Sequence, residues 1–109
     1  MEKYCMVLTT FGSKENADKV IKAVIECKLA ACAQTIDIAS HYVWKEKVCH
    51  EQEILVLFKT SWGLYNKLEA KIKELHSYEV PEIIAIDIKD GLKGYFDWID
   101  QVTENYAKD

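Results

Sequence analysis

The 109-residue sequence contains no arginine, one proline and only four glycines. Nucleic-acid-binding proteins normally use arginine to recognise phosphate and guanine, so this absence and a formal net charge of −4 argue against a nucleic-acid partner. The absence of arginine also weakens the case for an enzyme that clamps phosphate. With 50% hydrophobic residues and few chain breakers, we expect one ordered domain over residues 1–109.

Long hydrophobic runs are also missing, because a charged residue interrupts each run before it reaches membrane-spanning length. The amino terminus has no apolar export signal, so we expect no membrane partner and a cytoplasmic location. In a reducing compartment the cysteines should be free thiols. Their spacing lacks the paired knuckles of structural zinc sites, which favours separate buried thiols over a four-cysteine zinc site. The cysteines are Cys5, Cys27, Cys32 and Cys49.

Changes of hydrophobic period predict the order strand, helix, strand, strand, helix, strand, helix. The strands are expected near 3–10, 31–45, 50–58 and 83–88, and the helices near 13–29, 61–76 and 95–106, with Ser13 and Ser61 as N-caps. This order indicates an α/β (α+β) sandwich of the ferredoxin-like split βαβ type with an extra C-terminal helix. Both crossover helices should lie on one face of an antiparallel sheet.

The predicted hairpin is too long for its domain. A strand over 31–45 would reach about 45–50 Å, whereas a globule of this size is only about 35 Å across. Its tip half carries Tyr42, Val43, Trp44 and Val48, which would be an exposed apolar edge in a monomer. We therefore favour a protruding hairpin covered by a neighbouring subunit; the alternative is a bulge that folds it back on its own sheet.

Five segments of the chain carry specific motifs: Lys28-Leu29-Ala30-Ala31-Cys32, Ser40-His41-Tyr42-Val43-Trp44-Lys45, Lys59-Thr60, His76-Ser77-Tyr78-Glu79-Val80-Pro81-Glu82-Ile83-Ile84 and Gly94-Tyr95-Phe96-Asp97-Trp98-Ile99. Together they closely resemble the CutA divalent-cation tolerance family, and the resemblance covers nearly the whole chain. The resemblance implies a ferredoxin-like fold assembled as a tight homotrimer, an association with tolerance to copper and other divalent ions, and no established reaction.

The sequence departs from the family pattern at two turns. Ser77 stands where the family usually has proline, which should loosen a rigid turn. Glu46 stands at the hairpin tip where glycine is usual, and glutamate tolerates a positive φ poorly, so the turn type is open.

The candidate metal ligands are His76, Glu79, Glu82 and Cys32. Imidazole binds copper and zinc, and the two glutamates follow His76 at short range. The resemblance associates copper with His76 and Cys32. The alternatives are that His76 only satisfies helix-end carbonyls, with few core contacts, and that Cys32 is a buried core residue.

A pocket between subunits is a further expectation, lined by Lys59, Tyr78, Trp44 and Trp98. Lys59 could reach an anion there or face solvent. For the aromatic residues, ordinary core or interface packing is the alternative.

We therefore predict a non-enzymatic, homotrimeric protein that binds a divalent metal ion weakly, copper first and zinc second. The alternative is a small-molecule or nucleotide sensor resembling the trimeric PII-type regulators, although the sequence lacks arginine and a glycine-rich phosphate loop. An enzyme of the acylphosphatase type is excluded because its phosphate-binding arginine has no counterpart.

Overall fold

The computed structural model describes residues 2–103. The observed element order confirms the ferredoxin-like prediction. Tyr106, predicted on the terminal helix, lies outside the described residues. The strands are β1 (Tyr4–Phe11), β2 (Cys32–Trp44), β3 (Lys47–Ser61) and β4 (Ile83–Ile88), and the helices are α1 (Lys14–Glu26), α2 (Tyr65–Leu75) and α3 (Lys93–Val102).

The four strands form one antiparallel sheet in the order β2-β3-β1-β4. Side chains alternate across it, so Val7 and Phe58 point to the face that α1 and α2 cover and are fully buried there. Leu68 of α2 and Val20 of α1 complete this core. Among residues 2–103, no helix combines the length and apolarity needed to cross a membrane.

Of the two predicted helix caps, the structure confirms only Ser13. Ser13 caps α1, because its Oγ accepts a hydrogen bond from the Asn16 amide at 3.1 Å. The prediction for Ser61 was wrong, because a 3₁₀ turn over Trp62–Leu64 separates it from the start of α2.

All four cysteines are free thiols, as predicted. The expectation that they are buried holds only for Cys5. Cys27 is exposed, and Cys32 and Cys49 are partly exposed.

The hairpin of β2 and β3 protrudes from the domain. Its register is unbroken from Cys32 opposite Lys59 to Trp44 opposite Lys47, which rules out the bulge alternative for this stretch. β1 pairs with β3 only as far as Ile54, so the outer half of the hairpin extends beyond the rest of the sheet. The molecule is consequently 48 Å long and only 25 × 21 Å across.

The hairpin turns through Lys45 and Glu46, which both adopt positive φ values of 50° and 68°. A two-residue loop with positive φ at both positions is typical of a type I′ turn, whose twist matches that of the flanking strands. The turn type that Glu46 left open is therefore I′. Both residues at the tip of the hairpin adopt a backbone conformation that is unfavourable for side chains of their kind.

We expect the double variant Lys45→Asn, Glu46→Gly to stabilise the hairpin by about 1 to 2 kcal/mol, because these residues accept positive φ at lower cost. Hydrogen exchange of the amides next to the turn should slow by roughly 5- to 30-fold. Lys47→Asn, outside the turn, is the matched control and should not slow exchange. Unchanged exchange in the double variant would contradict the turn assignment.

Candidate functional site

His76 follows α2 and is buried, with 9% of its surface exposed. Its ring stacks on Phe11 with 4.3 Å between centroids and 12° between planes. Nε2 lies 2.7 Å from the Thr10 carbonyl, and Nδ1 accepts a hydrogen bond from the Tyr78 amide at 3.1 Å. Because a carbonyl can only accept and an amide N–H can only donate, the neutral ring carries its proton on Nε2.

This environment gives the His76 ring structural contacts on both nitrogens and on one face. Burial lowers its pKa below the ordinary value, against the opposing effects of the Thr10 carbonyl and the Glu53 carboxylate. Both ring nitrogens are already engaged, so a metal could bind only after one hydrogen bond is broken. The expectation that this histidine makes few core contacts was wrong.

The turn after His76 is held by a side chain of α1. The Asn16 side chain accepts a hydrogen bond from the Ser77 amide at 3.1 Å and donates one to the Leu75 carbonyl at 3.0 Å. A proline at position 77 could not donate this hydrogen bond. Ser77 therefore adds a hydrogen bond between α1 and the turn. From the sequence we had expected the loss of proline at this position to make the turn less rigid.

A groove of about 630 Å³ lies between the hairpin and the turn that joins α2 to β4. Four of its lining residues are glutamates and, within residues 2–103, no lysine lines it. We call it the glutamate groove. It is lined by Thr10, Ser40, His41, Tyr42, Trp44, Glu51, Glu53, Ser77, Tyr78, Glu79, Val80 and Glu82.

Tyrosines hold the two glutamates on β3. The Tyr78 hydroxyl donates to Glu53 at 2.6 Å, and the Tyr42 hydroxyl donates to Glu51. Burial, followed by the hydrogen bond to Glu53, raises the pKa of Tyr78, which therefore remains a protonated donor at neutral pH. Both carboxylates are thus fixed in position while their remaining lone pairs stay available.

Glu79 and Glu82 lie on the opposite wall of the groove and are exposed. In the described part of the chain, neither carboxylate has a hydrogen bond or ion pair. They are the two predicted ligands whose oxygens are free to bind a cation.

Cys32 and His76 are far apart within one chain. Cys32 lies opposite Lys59, which lies opposite Met6 on β1. His76 bonds to Thr10, four positions further along β1, a distance of about 13 Å at the rise of a strand. Between residues 2 and 103, no three His, Cys, Asp or Glu side chains form a group that could hold a metal ion.

The four residues predicted to line an intersubunit pocket occupy two places. Trp44 and Tyr78 line the glutamate groove. Lys59 and Trp98 lie near Tyr95 of α3, with the Lys59 ammonium 6.0 Å from the Tyr95 ring and the Trp98 ring 5.6 Å from it. Cys32 belongs to this second group, because its sulfur is 3.5 Å from the Tyr95 hydroxyl.

Sequence reasoning did not select Glu51 and Glu53 as site residues. The signal was present, because the alternation along β3 places both carboxylates on one face with Leu55 and Leu57. Nothing in the sequence showed that this face meets the turn carrying Glu79 and Glu82.

Comparison with known proteins gives one consistent family. Residues 5–102 match the family described as CutA1 divalent ion tolerance protein. The divalent-cation tolerance protein CutA of Thermus thermophilus is 40% identical over 99 residues, which cover 90% of this chain and 96% of that protein.

Solved structures agree with the sequence comparison. A variant of CutA1 from Pyrococcus horikoshii superposes with a TM-score of 0.90 at 37% identity, covering 92% of this chain and 98% of that one. CutA1 from Oryza sativa gives a TM-score of 0.90 at 35% identity, covering 94% and 95%. The chain therefore belongs to the CutA1 divalent ion tolerance family.

Proposed function

We propose that this protein is a non-enzymatic homotrimer that binds divalent metal ions, copper or zinc, and thereby contributes to metal tolerance. The observation that carries the proposal is the glutamate groove, in which four carboxylates line one cavity without a lysine among its described lining residues. Such a cavity concentrates cations by its negative potential. Family membership supports the same function, because the relatives are divalent ion tolerance proteins.

The chemistry of the groove suits a weakly held ion. Carboxylate oxygens bind divalent ions in general, and among first-row ions affinity rises to copper, with zinc close behind. Glu79 and Glu82 supply free carboxylates, and Glu51 and Glu53 add fixed negative charge opposite them. Because no three acidic, histidine or cysteine side chains cluster within residues 2–103, one ion would take at most two of these carboxylates, and water or a neighbouring subunit would complete the coordination shell.

The trimer is supported by the face of the sheet that lies opposite α1 and α2. Helix α3 covers only part of this face, where Tyr95 and Phe96 contact Cys32 and Tyr4. Ile36, Ile84 and Ile86 lie on this face with 49, 48 and 47% of their surfaces exposed. Strand register places Ile84 beside Leu8 and Ile86 beside Met6, so the apolar side chains are contiguous. An apolar patch of this kind normally marks a subunit interface.

The charge of the groove disfavours the PII-like alternative. A nucleotide carries several negative phosphate charges, and the four glutamates would repel them. We therefore expect adenine nucleotides to bind much more weakly than zinc or copper when purified protein is titrated with each.

We expect the double variant Glu79→Gln, Glu82→Gln to bind zinc and copper about a hundredfold more weakly or worse, because each of the two lost ligands contributes about 1.4 kcal/mol or more. Glutamine keeps the size of the side chain and removes its charge. Isothermal titration calorimetry of the untagged protein measures the change, and the unfolding temperature should remain unchanged because both residues are exposed.

The matched control is Glu15→Gln, Glu74→Gln, which makes the same charge change on α1 and α2, away from the groove. It should retain the parental affinity. Equal affinities in the groove variant and the control would overturn the assignment of the glutamate groove.

A further inference from the structure

Two histidines face each other across the outer half of the hairpin. His41 on β2 lies directly opposite His50 on β3, and their rings stack with 4.1 Å between centroids and 9° between planes. Both residues are exposed, because β1 ends its pairing with β3 before this point is reached. Neither the predicted metal ligands nor the proposed function uses this pair.

The two imidazoles differ from His76 in their available nitrogens. Within residues 2–103, no hydrogen bond or ion pair engages His41 or His50, whereas both nitrogens of His76 are occupied. Their lone pairs are therefore open to a ligand, and an exposed site incurs little desolvation cost.

The spacing of the rings is compatible with a shared ion. Copper and zinc bind imidazole nitrogen at about 2.0–2.1 Å, so two nitrogens on one ion lie roughly 3–4 Å apart. The lone pairs of nearly parallel rings do not converge, so both rings must turn away from the stacked arrangement by several tens of degrees to share an ion, and the broad χ2 torsion of an exposed histidine permits this. The hairpin register holds the two backbones in place, so only the side chains have to move.

The neighbours of the pair also suit a cation. Ala39 and Gln52 form the adjacent cross-strand pair on one side, and Val43 and Val48 lie towards the tip. None of these four side chains is charged. The ammonium of Lys45, at the turn, lies over the Trp44 ring at 5.6 Å.

We propose that His41 and His50 form a second metal site, selective for ions that favour nitrogen ligands, Cu²⁺, Ni²⁺ and Zn²⁺, over Mg²⁺ and Mn²⁺. Alternation along the strands places this pair on the opposite face of the hairpin from Tyr42 and Glu51, although His41 also borders the glutamate groove. The site is independent of the proposed function, because it uses none of the four glutamates.

Nickel is the probe for this site, since imidazole suits Ni²⁺, and titration of the glutamate variant beside it reports any Ni²⁺ that the carboxylates hold. Isothermal titration of the whole protein with Ni²⁺ should show about a tenfold or greater loss of affinity in His41→Gln and in His50→Gln. The double variant should be little worse than either single variant, because one histidine alone cannot chelate.

Nitrogen-15 NMR of the imidazoles locates the ion directly. Addition of Zn²⁺ should shift the ring nitrogens of His41 and His50 and leave those of His76 in place. Parental Ni²⁺ affinity in both single variants, or a zinc shift confined to His76, would overturn the proposal.

Each of the two proposed metal sites can be refuted without refuting the other. The Glu79→Gln, Glu82→Gln variant should retain its Ni²⁺ affinity at the histidine pair, and the histidine variants should retain the zinc bound by the groove. A loss of Ni²⁺ binding in the glutamate variant equal to that in the histidine variants would show a single shared site and overturn the inference.

Discussion

Replacing His76 with alanine is expected to lower the free energy of unfolding by about 3 kcal/mol. The substitution leaves the Thr10 carbonyl and the Tyr78 amide without partners and removes the ring that stacks on Phe11. A buried group left without its hydrogen bond costs about 1–3 kcal/mol, and the cavity adds to this. Urea unfolding at a fixed protein concentration measures the loss.

The stability of the parent protein should also depend on pH through His76. Burial keeps the folded pKa below the ordinary value, so the unfolded chain takes up a proton near pH 6.5 while the folded chain does so only at lower pH. The contribution of His76 is therefore complete above about pH 6.5 and is lost as the pH falls below it. We expect stability to decrease between pH 7 and 5.5.

Two variants separate the contribution of His76 packing from the contribution of its titration. His76→Phe keeps a ring against Phe11 and cannot titrate, so its stability should change less between pH 7 and 5.5 than that of the parent. His41→Ala, the same substitution at an exposed histidine, should lose little stability. Parental stability in His76→Ala together with weaker zinc binding would instead identify His76 as a metal ligand.

Introducing a charge at Ile84 is expected to dissociate the proposed trimer. In Ile84→Glu, association would bury a carboxylate without a partner in each subunit, at a cost of several kcal/mol. We expect the dissociation constant to rise by about a thousandfold or more. Sedimentation equilibrium should give a mass near three chains for the parent and near the single-chain 12.6 kDa for the variant.

Ile25→Glu is the matched control for the trimer. Ile25 is an exposed residue of α1, on the side of the sheet that α1 and α2 cover, so the same charge should leave the assembly intact. A parent that is monomeric at micromolar concentration, or an Ile84→Glu variant that still sediments as a trimer, would contradict the proposed interface.

The order of the elements and the length of the hairpin followed from the sequence alone. Hydrophobic periods of 2 and 3.6 are local properties that distinguish strands from helices, and the rise per residue converts a 31–45 strand into a length that exceeds the domain. The same local reasoning failed at Ser61, where a 3₁₀ turn precedes α2. A serine that precedes a helical pattern does not show how many residues the chain uses between the end of a strand and the start of the α-helix.

Only the tertiary structure decided which of the candidate side chains keep free lone pairs. His76 has the chemistry of a metal ligand in any sequence, but its ring nitrogens are taken by backbone groups of β1 and of the following turn. Conversely, His41 and His50 are separated by eight other residues along the chain, and only the hairpin register brings them together. A side chain can bind a metal ion only if its lone pairs are not already used in hydrogen bonds. Those hydrogen bonds come from residues that are distant in the sequence, so hydrophobic periodicity does not predict them.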